Sequence, residues 1–102
     1  MVFERGGLDG RVTVRMTISG LVQGVGFRDA ARSQAQRLAL RGWVRNLPDG
    51  TVELVAQGPV QAMEELRAWC ARGPRTARVT GVLVEHVNPA GRKLPAGFIV
   101  AR

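Results

Sequence analysis

The chain has 102 residues, 45% of them apolar, and a formal net charge of +7, which fits one compact domain with a single core rather than a disordered tail. No apolar run approaches the ~20 residues needed to span a bilayer. Met1 to Gly7 contain no stretch of signal-peptide length, so a soluble, cytoplasmic protein without a membrane partner is expected.

Residues 1–10 hold three glycines and no clear period, and are read as a flexible N-terminal tail ahead of a domain over residues 11–102. Arg11 to Ser19 alternate strictly. Val12, Val14, Met16 and Ile18 share one face and polar residues the other, the pattern of a half-buried strand. A glycine-rich turn, Gly20 to Arg28, follows. Phe27, Ala30, Ala31, Gln34, Ala35 and Leu38 then recur at helical spacing, with Asp29 in the first turn and Gly42 placed to stop the helix. A strand over Trp43–Leu47, the turn signal Pro48-Asp49-Gly50 and a strand over Thr51–Gln57 read as a hairpin.

Gly58-Pro59 opens a second helix, with Pro59 suited to its first position. Val60, Met63, Leu66, Trp69 and Cys70 supply its apolar stripe, and Gly73-Pro74 closes it. Ala77 to Val87 read as a strand whose alternation changes phase at Thr80-Gly81, the mark of a bulge. The loop Asn88-Pro89-Ala90-Gly91 leads to a short strand, Phe98 to Ala101. The order β-α-β-β-α-β with an extra strand predicts an α+β ferredoxin-like sandwich: a mostly antiparallel sheet with both helices on one face.

The composition limits the chemistry. One cysteine (Cys70) and one histidine (His86) exclude an internal disulfide and a zinc site of the usual kind, so no metal is expected. There are two serines and no tyrosine, and nothing ties His86 to a nucleophile. An enzyme built from this chain works by positioning and electrostatics. Fourteen arginines among 15 basic residues suit an anionic ligand, or simply a solvated surface.

The segment Gly20 to Arg28 is where these two statements meet. Gly24 and Gly26 allow backbone conformations that turn several N–H groups inward. The helix start adds unpaired N–H groups and the positive end of its dipole. Arg28 follows in the first turn, with a guanidinium able to grip two phosphate oxygens. The Lys-Ser/Thr of a nucleotide P-loop is missing. Asn46 ends the next strand although asparagine is a poor strand former. It reads either as a cap for the Leu47–Gly50 turn or as an amide that holds a water with both its donor and its acceptor.

Together, Gly20-Leu21-Val22-Gln23-Gly24-Val25-Gly26-Phe27-Arg28, Gly42-Trp43-Val44-Arg45-Asn46 and Asp49-Gly50-Thr51-Val52 resemble the signature of the acylphosphatase family, from about Val12 to the C-terminus. The resemblance implies metal-free, cofactor-free hydrolysis of the carboxyl-phosphate bond of a small acyl phosphate. Arg28 and Asn46 are then the catalytic residues: Arg28 binds the phosphoryl group and Asn46 orients the attacking water. Gln23, Gly24, Val25, Gly26, Phe27 and Arg28 form the phosphate-binding loop, and the substrate phosphate accepts the proton. Many family members carry bulky aromatic residues just after the arginine. Here Asp29-Ala30-Ala31 stand there, a departure that bears on substrate preference and packing rather than on the phosphate site.

Other residues receive structural readings: Asp29 as a helix N-terminal charge, His86 as a surface histidine, Trp43, Trp69 and Phe98 as core, Cys70 as a small buried hydrophobe, and Phe27 as an anchor that fixes the loop. Three other functions are open. An RNA-binding module of the same fold would need aromatic residues on the sheet face, where Thr13, Arg15, Thr17 and Glu53 are expected instead, so no nucleic-acid partner is expected. The acylphosphatase-like domain of a hydrogenase-maturation carbamoyltransferase would need further regions, and a free-standing monomer is the preferred reading. A relative that binds phosphate without turnover is the third.

Overall fold

A computed structural model describes residues 10–88 and 94–101. The elements run β1 (Arg11–Leu21), α1 (Phe27–Arg37), β2 (Arg41–Asn46), β3 (Val52–Pro59), α2 (Val60–Arg72), β4 (Arg78–His86) and β5 (Phe98–Val100). The sheet order is β4-β1-β3-β2-β5. β1 pairs antiparallel with β3 and β4, β2 antiparallel with β3, and β5 parallel with β2. β1 and β2 therefore run parallel with β3 between them, and β3 and β4 run parallel with β1 between them. The two β-α-β units interleave, as the ferredoxin-like order requires.

Alternation decides which face is covered. Val12, Val14, Met16 and Ile18 are at most 5% exposed and turn toward the helices, as the pattern predicts. α1 presents Phe27, Ala31 and Ala35 to the sheet, and α2 presents Val60, Met63, Leu66 and Cys70. α1 lies over β2 and β5, and α2 over β4, β1 and β3. Phe27 is 1% exposed, its ring centroid 5.4 Å from that of Trp69. Burial of such a side chain stabilises by about 2–3 kcal/mol. It ties the first residue of α1 to α2, so the turn before α1 is held at one end by the core.

The expected bulge is present: Ser19 pairs with Gly81 and Gly20 with Val79, leaving Thr80 as the extra residue. Three expectations need correction. Gly42 does not stop α1. The helix ends through Leu38, with Ala39 in the left-handed region (φ 56°), Ala39 N–H bonded to the Gln36 carbonyl at 3.0 Å and Leu40 N–H to the Ala35 carbonyl at 2.9 Å. This is a Schellman closure with alanine where glycine is usual. Gly42 instead lies inside β2 at φ 143°, where a Cβ would stand 1.9 Å from the Val55 carbonyl oxygen. Pro59 is the N-cap of α2, not its first helical residue, and the Val60 N–H is met by the Gly10 carbonyl at 3.1 Å.

Trp43 is the third correction. It alternates with the buried Val44 and so stands half-buried on the helix-free face, with the Arg45 guanidinium 5.0 Å from its ring centroid. Phe98 is buried and Trp69 packs at the edge of the core. Thr13 and Glu53 also face away from the helices, yet neighbours bury them. Gln57 donates to Thr13 at 2.9 Å, and Glu53 receives Arg45 at 2.8 Å and Arg15 at 3.7 Å. The predicted tail (apart from Gly10) and the loop positions Pro89 to Gly91 lie outside the described residues.

Candidate active site

The strand-to-helix turn is built as its glycines imply. Gly24 (φ 73°) and Gly26 (φ 80°, ψ 14°) are both left-handed, a conformation that turns neighbouring N–H groups toward one side. Gly26 is the N-cap of α1 and offers no side chain to the first-turn N–H groups. These therefore stay available to an anion, with the positive end of the helix dipole behind them. A cavity of about 130 Å³ opens at this point, lined by Val22, Gly24, Gly26, Phe27, Arg28, Asp29 and Val100.

Arg28 is half-buried in that lining. Among the described residues it has no carboxylate partner, which sets it apart from several other arginines. Arg15 and Arg45 are held by Glu53 and Glu85, Arg32 by Asp29, and Arg37 by Glu65. Arg41 is spent on the carbonyls of Leu94 (2.7 Å) and Pro95 (3.0 Å). Asp29 shares the cavity wall, but its side chain is 77% exposed and leans on Arg32 at 3.5 Å, consistent with the helix-start charge expected of it.

Gln23 and Val25 lie outside the cavity lining and face other parts of the molecule. The Gln23 side-chain amide donates to the carbonyls of Leu47 (2.8 Å) and Thr51 (2.9 Å). The Val25 side chain packs on the core, and its carbonyl accepts a hydrogen bond from the Thr76 hydroxyl at 2.5 Å. The loop is thus stapled to the β2–β3 hairpin on one side and to the α2–β4 connection on the other. The sequence marks Gln23 only through its place in the backbone of the turn and gives no sign of Thr76, since no local pattern marks a hydroxyl whose partner is 51 residues away.

Asn46 ends β2 opposite Val52 and, by alternation, shares the helix-side face with the buried Val44. Val44 pairs with Val100, a wall of the cavity, and Gln23 binds the residue next to Asn46. Asn46 therefore sits at the same end and on the same face of the sheet as the glycine turn. It does not cap the hairpin. That work falls to Asp49, whose Oδ1 accepts from the Thr51 N–H (3.0 Å) and hydroxyl (2.6 Å) and whose carboxyl pKa those two bonds lower. The Asn46 Oδ1 is left buried with no donor among the described residues. A buried amide oxygen without a partner is costly; the Arg67 Nε is the other buried side-chain atom in this position among the described residues.

A family model described as Acylphosphatase matches residues 14–100, nearly the whole chain and both halves of this site. The chain belongs to the acylphosphatase family. It is 53% identical over 81 residues to an acylphosphatase of Anaeromyxobacter dehalogenans, covering 79% of this chain and 87% of that one. It is 49% identical over 92 residues to one of Pseudomonas paraeruginosa, covering 90% and 98%. A solved acylphosphatase structure from Coxiella burnetii superposes with a TM-score of 0.81 at 38% identity, over 89% of this chain and 93% of the other. The activity follows from these relationships: this acylphosphatase is a hydrolase acting on acyl phosphates.

Among the described residues, no group of three or more His, Cys, Asp or Glu side chains could hold a metal, and no helix is long and apolar enough to cross a membrane. His86 ends β4 as an exposed residue. Cys70 is fully buried on the sheet side of α2, and burial pushes its thiol pKa up to about 12, far from any nucleophilic role at neutral pH.

Proposed function

We propose that the acylphosphatase domain, residues 11–102, hydrolyses small acyl phosphates through an arginine and backbone cradle with an asparagine-held water and neither metal nor cofactor. The phosphoryl group lies at the start of α1. Backbone N–H groups of the Gln23–Arg28 loop and the Arg28 guanidinium surround its oxygens. The Asn46 amide holds the water that attacks phosphorus. The bond from phosphorus to the carboxyl oxygen breaks, the carboxylate leaves with that electron pair, and a substrate phosphate oxygen takes the proton of the attacking water. The products are a carboxylate and inorganic phosphate.

Phosphoryl transfer through a loose transition state asks for charge stabilisation and alignment more than for covalent chemistry. The carboxylate is already a good leaving group, so a guanidinium fork, a preorganised set of amides and one positioned water suffice. The observation that carries this reading is the buried, unpartnered Oδ1 of Asn46, set at the same end of the sheet as the Arg28 cavity. The deciding experiment is steady-state hydrolysis of benzoyl phosphate in EDTA, with inorganic phosphate as a competitive inhibitor. Turnover abolished by the chelator overturns the metal-free part, and absence of phosphate inhibition overturns the cradle.

The same reading has the chain acting as a cytoplasmic monomer without a nucleic-acid partner. The helix-free face supports the last point: Glu85, Arg15, Glu53 and Arg45 cross it as ion pairs. Among the described residues its one aromatic ring is Trp43, half-buried with the Arg45 guanidinium 5.0 Å from its centroid, and a lone ring is no base-stacking platform.

A further inference from the structure

The Val25–Gly26 peptide is a part of the cradle whose orientation the sequence leaves open. Gly26 follows it with φ 80°, and a Cβ at Gly26 would meet nothing within 4 Å. Glycine tolerates φ of either sign, so this peptide can turn over at small cost. One orientation aims the Gly26 N–H at the cavity; the other aims the Val25 carbonyl there, where its negative end opposes a phosphoryl oxygen. The described chain has no cis peptide, so the C=O and N–H of this unit point in opposite directions. Fixing the carbonyl therefore fixes the amide.

The exposed Thr76 hydroxyl donates to that carbonyl at 2.5 Å. Thr76 is itself presented by a firm support. Gly73 caps α2, with its N–H on the Trp69 carbonyl at 2.7 Å, and the turn from Pro74 is closed by the Ala77 N–H at 3.0 Å. A Cβ at Gly73 would lie 3.1 Å from the Phe27 ring and 3.2 Å from Val79, so this turn is seated directly against the start of α1. We propose that Thr76 is a positioning residue for the phosphoryl site, latching the Val25–Gly26 peptide so that the Gly26 N–H faces the bound phosphate. The proposal rests on the phosphoryl-cradle reading above.

The test compares Thr76→Val, which keeps the shape and removes the donor, with Thr76→Ser, which keeps the donor. The readouts are KM for benzoyl phosphate, the inhibition constant of inorganic phosphate, kcat and the thermal midpoint. Thr76→Val is expected to raise KM and the phosphate inhibition constant together by roughly three- to tenfold, the range of one hydrogen bond, with kcat nearly unchanged. Thr76→Ser is expected to restore both constants. Parent-like constants in Thr76→Val overturn the proposal, as do equal losses in both variants or a lower thermal midpoint with unchanged phosphate inhibition. Arg28→Ala in the same assay separates the two levels: if it retains phosphate inhibition, the cradle reading itself falls, and if only Thr76→Val retains it, the latch alone does.

Discussion

The Gln23 side chain donates to the Leu47 carbonyl at 2.8 Å and, from the same nitrogen, to the Thr51 carbonyl at 2.9 Å. One residue of the glycine turn thereby holds both ends of the connection between β2 and β3, immediately beside Asn46. The bonds are part-buried, so loss of the amide leaves two carbonyls without this donor.

Gln23→Ala is accordingly expected to lose about 1–3 kcal/mol of stability, along with kcat/KM, by loosening the approach of the loop to Asn46. Gln23→Glu is expected to be worse at neutral pH, because it sets a carboxylate against two carbonyl oxygens and beside an anion site. Part of its activity should return in acid, as the new carboxyl takes a proton and regains a donor. Thermal denaturation and kcat/KM across pH check both statements, and a fully active Gln23→Glu contradicts them.

Arg28→Ala is expected to lower the rate ~10³-fold or more, the scale seen when an arginine is withdrawn from a transferring phosphoryl group. Arg28→Lys should recover only part, since an ammonium keeps the charge but not the fork. Asn46→Ala should lose on the order of 10²-fold or more, the scale of a misplaced reactant. Near-normal turnover of benzoyl phosphate by Arg28→Ala or Asn46→Ala would remove these roles.

Ala39 is exposed and left-handed at the C-terminus of α1. That conformation costs an L-residue roughly 1–2 kcal/mol, whereas glycine takes it freely and loses somewhat more chain entropy on folding. Ala39→Gly is expected to gain about 0.5–1 kcal/mol and raise the melting temperature by a few degrees, with no change in KM. A lower melting temperature would refute this.

Burial raises the Cys70 thiol to about 12 in the folded chain, against roughly 8.5 for a free cysteine. The unfolded chain therefore releases the thiol proton first as pH rises. Stability from this group is flat below about pH 8.5 and declines as pH climbs from there toward 12. Native protein at mildly alkaline pH should resist alkylation by iodoacetamide and react once denaturant is added. Rapid native-state labelling would contradict the burial of Cys70.

Much of the fold was legible in local patterns. Val12 to Ile18 alternate because one face of β1 is covered, and Met63, Leu66 and Cys70 recur because one side of α2 is. Where local pattern failed, the reason was physical. A glycine after a helix looks the same whether it is needed for a left-handed cap or for close strand approach, and at Gly42 only the approach of Val55 tells the two apart. Trp43 and Val44 are both apolar, and only the cover of the helices decides which of them enters the core.

By itself the sequence determined the strand and helix order, the glycine turn and the family, since these depend on residue type and short spacing. Tertiary structure decided the rest of the site. It engages several other arginines and leaves Arg28 without a carboxylate among the described residues, gives the hairpin cap to Asp49 and leaves the Asn46 oxygen without a donor among them, and brings Leu47 to Gln23 and Thr76 to Val25 from 24 and 51 residues away. Periodicity records which side of an element is dry. Which polar groups meet across it is decided only when the chain closes.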